Sequence, residues 1–513
     1  MKQMKKIIGY MMVFFLLVTT GCEDFLEREP VSITHPNVFW VNESNAEQAL
    51  AGSYALFKEA ITTNSSFLFW GEFPGMTFLW HDNWIVKYIL NSGDLVLPYR
   101  EPTRDWKRLY RAANWAYTIE HYVDGMGEEL FTSPQEKERI IGEAAFVRAL
   151  SYFYMARVWG EVPIIEKVIE STDQLVTEDG FIVEEVRASE KDVLDYAMAA
   201  VNKAIENLAY SNPGDSQWAI TANKASAEAL KAHIALWYAS RDNDNLEMLN
   251  ACVQAATSAI DNGNAELIDY VSEGANGVKH MCEGQSRTGL FEINVDAGMS
   301  ESFRMRTWDS EHCGLMNNQP VFKNYNSNGP KIDPDMYGKM FMTADADRAN
   351  DVRKDLFFYD YNSDDRSFVS KFQYSTQDGD SEDPYAQFSE SNILIFRLAD
   401  MYLLRAEANA KLGNGSLAVN DLNEVRSKAN VPNYTGATDR DAMMEAIFKE
   451  RAIEFIGEAQ SAYDRIRMDY YFEGVGWMNS KRIQKKSYFW PVSTGIISKN
   501  PSIVQTEYWQ GKV

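Results

Sequence analysis

Residues 392–429, NILIFRLADMYLLRAEANAKLGNGSLAVNDLNEVRSKA, constrain the fold more than any other stretch of the chain. They read as two helices joined by a short turn. Leu394, Leu398, Met401, Tyr402 and Arg405 recur at three- and four-residue spacing and form one stripe. Ala399, Ala406, Ala408 and Ala410 keep that helix narrow and favour helical backbone. Gly413, Asn414 and Gly415 end it, because these residues accept positive φ at little cost. Ser416 is placed to cap a second helix, whose Ala418, Leu422, Val425 and Ala429 turn back towards the first before Pro432 stops it. This is an antiparallel pair of the tetratricopeptide kind, with small residues permitting close approach. A lone pair buries too little, so the unit predicts neighbours to stack on.

The chain supplies them. Residues 45–58 read as a helix, 105–124 with 135–159 as a second pair, and 189–208 with 222–240 as a third. Residues 245–262, closed by Gly263, add another helix, and 443–456 follows the opening motif. The alanine-rich pairs recur without a constant period and are separated by long insertions. The fold class expected is therefore mainly α: a divergent tetratricopeptide-like helical repeat scaffold with long irregular loop insertions and a few short strands. LFEINV at 290–295 alternates like one such strand, after which Asn, Gly, Asp and Ser dominate the segment 280–390. A long ordered loop of that kind is more often binding surface than filler.

With 513 residues, 45% of them apolar and 13% aromatic, the chain can bury a large core. Residues 1–21 read as a leader and stand outside the fold: Lys2, Lys5 and Lys6 precede an apolar stretch too short to span a bilayer. Thr19-Thr20-Gly21 runs directly into Cys22, the pattern of a bacterial lipobox, so Cys22 is expected to carry acyl chains that anchor the protein in lipid. Residues 22–36 form an acidic tether. The formal charge of −24 grows more negative once the lysine-bearing leader is removed, which argues against nucleic acid as a partner.

Beyond Cys22 the cysteines are Cys252, Cys282 and Cys313. Cys252 falls in a helix and reads as a small buried hydrophobe. An oxidising compartment would allow a Cys282–Cys313 bridge. His280 beside Cys282 and His312 beside Cys313 fit no common zinc spacing, and no metal or cofactor is expected. No nucleophile elbow, P-loop or HExxH occurs, although two carboxylates need no local signature to hydrolyse a glycoside. Glu450, Arg451, Glu454 and Asp464 lie at helical spacing better suited to buried ion pairs than to catalysis.

Residues 67–88, FLFWGEFPGMTFLWHDNWIVKY, hold eight aromatic residues. Gly71, Pro74 and Gly75 interrupt them, so much of the segment is expected to be loop. A sugar offers an apolar C–H face for an aromatic ring and hydroxyls at its rim for Asn, Asp or Arg. Trp70, Trp80 and Trp84, beside His81, Asp82 and Asn83, meet that need. Phe67, Phe69 and Phe78 have no polar handle and are expected in the core. A second candidate surface is 303–326, with Arg306, Trp308, Asn318 and Tyr325.

Five stretches, in order, resemble the SusD/RagB family of outer-membrane nutrient-uptake lipoproteins. They are CEDFLEREP after the leader, GEAAFVRALSYFYMARVWGEVPII (142–165), the helix pair through FRLADMYLLRAEA (396–408) and LNEVRSKA (422–429), IFKERAIEFIGEAQSAYDRIRM (447–468), and FWPVSTGIISKNPSIVQTEYW (489–509). The resemblance runs from Cys22 to the C-terminus. It divides the chain into a helical N-terminal region at 37–264, with the aromatic loop 67–88, and a C-terminal region at 265–513 with the insertion 280–390 and helix pairs at 392–468. It implies a non-catalytic glycan-binding protein, lipid-anchored to the outer membrane and facing outwards. Such a protein caps a SusC-type TonB-dependent β-barrel transporter and delivers oligosaccharide to it. It places ligand contacts in the two loop regions without assigning single residues. Peptide as ligand, a surface glycosidase, and a structural lipoprotein that binds no nutrient are the alternatives.

Overall fold

A computed structural model describes residues 36–75, 79–80, 89, 92–96, 101–168, 185–295, 303–304, 330–331, 348–359, 368–369, 371–372, 376–377, 388–389, 391–470 and 477–513. The leader, Cys22 and the tether before residue 36 lie outside them. No helix among the described residues is long and apolar enough to cross a membrane.

The main helices are α1 (Glu43–Thr62), α2 (Ser66–Gly71), α3 (Lys107–Gly125), α4 (Pro134–Trp159), α5 (Glu190–Asn207), α6 (Lys224–Arg241), α7 (Leu246–Asn262), α8 (Tyr270–Glu283), α9 (Arg353–Phe357), α10 (Leu398–Lys411), α11 (Gly415–Lys428), α12 (Arg440–Glu454) and α13 (Ser461–Arg467), with short helical turns at Pro36–Phe39, Ser480–Gln484 and Thr494–Ile497. Local chemistry starts most of the long ones. Asn42, Ser133, Ser189 and Asp439 each accept a hydrogen bond from a first-turn backbone N–H, and Asn223 with Ser226 forms a reciprocal capping box. At the far end of α4, Gly160 adopts φ +70°, and a Cβ there would meet Phe489 at 2.5 Å. Both the conformation and the close approach exclude a side chain.

Consecutive helices pack in a line: α3 on α4, α4 on α5, α5 on α6, α6 on α7. The line then passes directly from α7 to α10, and on to α11 and α12. Alanines make these contacts close; Ala144, Ala145 and Ala149 of α4, Ala227 and Ala235 of α6, and Ala406 and Ala408 of α10 are wholly buried. The mainly α repeat scaffold expected from the alanine-rich pairs is the architecture observed. One buried apolar cluster runs from Ala46 to Trp509, with a smaller one where α10, α11 and α12 meet.

Since α7 and α10 touch, the chain between them leaves the stack and returns. It does so on two adjacent antiparallel strands, β2 (Gly289–Ile293) and β9 (Ile393–Arg397). Every residue of both is buried, so the expected strand at 290–295 exists but has no solvent face. The opening motif needs correction here. Residues 393–397 are strand, and the helix begins only at Leu398. Ile393, Leu394, Ile395 and Phe396 are a continuous apolar run with β-branched and aromatic members, suited to a strand covered on both faces. Ser416 does not cap α11 either. That helix begins at Gly415, where a Cβ would lie 2.0 Å from the Thr438 carbonyl oxygen, so this glycine serves close packing.

Polar side chains hold the insertion to the scaffold. Arg353, fully buried, donates to Asp351 (2.9 and 3.0 Å), to Glu450 (2.7 Å) and to Glu454 (2.8 Å). Arg348 donates to Glu450 at 2.7 Å, and Arg397 of β9 spans Glu454 (3.0 Å) and Glu458 (2.7 Å). Burial alone would raise Glu450, but Arg348, Arg353 and Arg426 outweigh it and hold its carboxyl down at about 2. A second arm joins Arg451 to Asp464 (2.8 Å) and Asp400 (2.7 Å), with His233 of α6 against the other Asp400 oxygen. Burial lowers the His233 pKa against the pull of Asp400, while His233 and Arg451 hold the Asp400 carboxyl below the usual carboxylate range. Glu450, Arg451, Glu454 and Asp464 thus form buried ion pairs, as their helical spacing predicts.

Glu72, just after α2, is also buried; its carboxylate accepts from the Ala459 N–H at 2.9 Å. Burial pushes it up to about 8, against the backbone N–H groups and Lys371, which act the other way.

Two outcomes are expected in urea denaturation. Arg353→Met leaves three carboxylates short of a shared cation and should cost about 3–5 kcal/mol. Glu72 binds a proton in the folded chain that it releases on unfolding between its ordinary carboxyl pKa and about 8, so its contribution to stability falls as pH rises through that window. Glu72→Gln should therefore gain on the wild type by about 1 kcal/mol or more between pH 5 and pH 9. Parallel pH curves for the two proteins would show that Glu72 is ionised when folded.

Candidate ligand-binding site

The aromatic segment begins as core. In α2, Phe67, Phe69 and Trp70 are buried, and Phe73 follows them inside. Phe67 and Phe69 lie where their lack of a polar group predicts; Phe78 is outside the described residues. Trp70 corrects the sequence expectation. Its indole N–H donates to the Thr103 carbonyl at 2.8 Å, and its ring stands edge-on to Trp159 at 5.5 Å beside Tyr154. With its one polar atom satisfied internally and 3% of its surface exposed, Trp70 has no face for a ligand. The interruptions at Gly71 and Gly75 are not loop signals. A Cβ on Gly71 would lie 2.0 Å from the Ala459 oxygen, and one on Gly75 would lie 2.1 Å from Ser461 Oγ. They are small so that α2 and the 3-10 turn Phe73–Gly75 can seat against α13.

Beyond that seat the chain enters a sheet made with the insertion. Strand β1 (Leu79–Trp80) pairs antiparallel with β4 (Pro330–Lys331), Trp80 opposite Pro330. Strand β4 pairs with β6 (Phe368–Val369), and β6 with β5 (Phe358–Tyr359), giving the order β1-β4-β6-β5. A separate sheet orders β3 (Phe303–Arg304), β8 (Phe388–Ser389) and β7 (Thr376–Gln377) as β3-β8-β7. The two candidate surfaces are therefore joined through backbone: the strand holding Trp80 hydrogen-bonds to one that follows 303–326 in the chain. Because the pair is antiparallel, the chain leaves Trp80 at the end where it arrives at Pro330. His81, Asp82, Asn83, Trp84, Arg306, Trp308, Asn318 and Tyr325 lie outside the described residues, as does the side chain of Trp80.

Cys282 is a free, buried thiol that donates to the Lys371 carbonyl at 3.6 Å, and burial pushes it up to about 12. Cys313 lies outside the described residues. The His280 side chain is 70% exposed, so it does not converge with Cys282 on a metal position.

Two clefts carry polar side chains that no local motif announces. One, about 1010 Å³, lies between α1, α4 and residues 208–223, and acids dominate its charged lining. On its wall the Tyr54 hydroxyl donates to Glu143 (2.7 Å) and accepts from the Ala222 N–H (2.8 Å). Burial raises Glu143 to about 7, against Arg139, which also pairs with Glu47 and Glu136. The carboxyl groups of Glu43, Glu47 and Glu136 come within 4.8 Å of one another, but Thr132 and Arg139 already engage them. The other cleft, about 470 Å³, lies where the end of α4 and residues 186–187 meet the C-terminal segment 484–510. Its residues come from three distant parts of the chain, which is why sequence patterns miss it.

The geometry can be set beside known proteins. A family model described as the SusD family matches residues 360–509, and one described as starch-binding associating with outer membrane matches 24–236. SusD-like protein P38 of Formosa agariphila is 23% identical, with 98% of this chain and 99% of the relative covered. A SusD-like protein of Bacteroides ovatus is 24% identical over 88% of this chain and 80% of its own length. Among solved structures, a SusD homolog from Bacteroides thetaiotaomicron superposes with a TM-score of 0.78 at 23% identity, covering 91% of this chain and 98% of its own. A SusD superfamily protein from the same organism gives 0.72 at 22% identity, with 92% and 99% covered. Family models at both ends, relatives matched along nearly the whole chain and a common fold agree: the chain belongs to the SusD/RagB family.

Proposed function

We propose that this protein is a non-catalytic, cell-surface glycan-binding lipoprotein of the outer membrane. It would capture oligosaccharide on the face built from 76–88 and the 280–390 insertion, and pass it to a SusC-type TonB-dependent transporter that it caps. Acyl chains on Cys22 would hold it to the membrane, and the helical stack would face the transporter. The observation that carries the reading is the β1–β4 pairing. It hydrogen-bonds the strand that precedes His81, Asp82, Asn83 and Trp84 in the chain to the strand that follows 303–326. The family description of starch binding at the outer membrane, matched from residue 24, supports the same reading.

A second reading has its own observation. Glu47, Glu136, Glu138, Glu143, Glu206 and Asp215 line the 1010 Å³ cleft against Arg139. That surface suits a cationic ligand such as a basic peptide.

Isothermal titration of the intact chain in detergent against plant, host and microbial oligosaccharides separates the two. Trp80→Ala and Trp84→Ala should each lose about 1–3 kcal/mol of glycan binding while leaving the fold intact. Trp70→Ala should instead lose about 3–5 kcal/mol of stability, because it empties a packed site. Flat heats across the panel from a folded protein, with saturable binding of a basic peptide, would favour the second reading.

A further inference from the structure

The 470 Å³ cleft has an electrostatic character at odds with the rest of the chain. Among its lining residues Arg187, Lys485 and Lys486 face Glu161 and Glu507, a surplus of one cation in a protein whose formal charge is −24. The surplus is fixed in place at Arg187. This half-buried guanidinium donates to the carbonyls of Glu161 (2.6 Å), Val504 (2.7 Å) and Trp159 (2.9 Å), and to the Thr506 hydroxyl (3.3 Å). None of these acceptors is a carboxylate. The dipoles of neutral oxygens, one of them at the C-terminal end of α4, position the group, and the Glu161 carboxylate attracts it without a direct hydrogen bond.

The rim is arranged differently. Lys485 pairs with Glu507 at 2.9 Å, and Lys486 lies 3.5 Å from Glu161 and 3.9 Å from Glu190. These partners are substantially exposed except Glu190, which Arg241 already holds at 3.0 Å. Exposed pairs of this kind are weak, so both ammonium groups can turn to a better acceptor at little cost. Val186 and Val504 stand 64% and 62% exposed beside them, leaving an apolar edge next to the charged floor.

We infer that this cleft binds an oxyanion, a carboxylate or sulfate group, with Arg187 as the fixed donor and Lys485 and Lys486 as mobile ones. One guanidinium N–H remains beyond the four hydrogen bonds that hold Arg187, and it is the group an oxygen of the ligand would take. Given the glycan reading above, on which this clause rests, the anion is carried by a sugar, a uronic acid or a sulfated residue whose ring lies on Val186 and Val504. None of the cleft's lining residues belongs to 76–88 or to the insertion 280–390.

The test is titration of the intact chain in detergent, at low chloride, with sodium sulfate, with glucuronic acid and a sulfated monosaccharide, and with the matching neutral sugars. The anionic sugars should bind saturably, the neutral ones should not bind at this site, and affinity should fall as sodium chloride is raised. Lys485→Gln/Lys486→Gln, which leaves Arg187 and its carbonyl partners untouched, should weaken the anionic sugars about tenfold. Arg187→Lys should weaken them further, and thermal melting reports separately whether that variant folds. Trp80→Ala should leave the anion affinity unchanged, so failure of the glycan face and failure of this site are read independently. Sulfate binding without sugar binding would keep the oxyanion site and overturn its sugar bearer. No saturable binding of any oxyanion, or binding that the rim double variant does not change, would overturn the site itself.

Discussion

Glu454 draws distant parts of this structure to one point. Its carboxylate accepts from the Tyr270 hydroxyl and Arg397 on one oxygen and from Arg353 on the other. Its backbone carbonyl accepts from Lys371 and again from Arg397. Those donors come from α8, the insertion and β9, so a single turn of α12 fixes three parts of the chain relative to one another. Buried charge is expensive to desolvate, and apolar residues of the same volume would often hold the elements together as well. What apolar packing cannot supply is direction. Each guanidinium fork donates to its carboxylates in one geometry, and sliding the insertion along α12 would strand several charges at once.

That constraint ties the described parts of a long insertion to the scaffold. The insertion is closed at its neck by β2 and β9 and pinned at its base by Arg348, Arg353 and Lys371. Among its described residues, Phe357, Phe358, Val369 and Phe372 also pack into the main apolar cluster. A division between core and insertion is visible within the aromatic segment. Trp70 and Trp80 are ten positions apart, but the first is enclosed by Trp159, Tyr154 and the Thr103 carbonyl, whereas the second sits in a strand paired to the insertion. Such anchoring accords with a fold match that persists at 23% identity.

The scaffold was legible in the sequence because its causes are local. Ser133-Pro134, Ser189 and the alanines of α4 and α6 declare helix starts and close faces within one or two turns. Residues 393–397 were misread for an equally local reason, since Leu394 and Leu398 fit helical spacing as well as a buried apolar run does. Trp70 could not be told from Trp80 by residue type. What separates them is Thr103, 33 residues further on, offering a carbonyl to one indole. The ion network was half legible: Glu450 and Glu454 show their spacing, but their partners Arg348 and Arg353 lie 97 to 102 positions away. The clefts left no trace, because each is assembled from elements that no window brings together.

The network also limits how the protein can move. In a capping role, opening over a transporter could occur by a hinge within the chain or by displacement of the whole protein. A hinge between insertion and stack would have to separate Arg353 from Glu450 and Glu454 and Arg397 from Glu454 and Glu458, all of them buried. Exposing or stranding those charges is far costlier than the few kcal/mol that divide two accessible states of a working protein. The α7–α10 contact, made directly across the neck, opposes the same hinge from the apolar side. Under the proposed capping role, displacement of stack and insertion together is the motion that leaves these pairs intact.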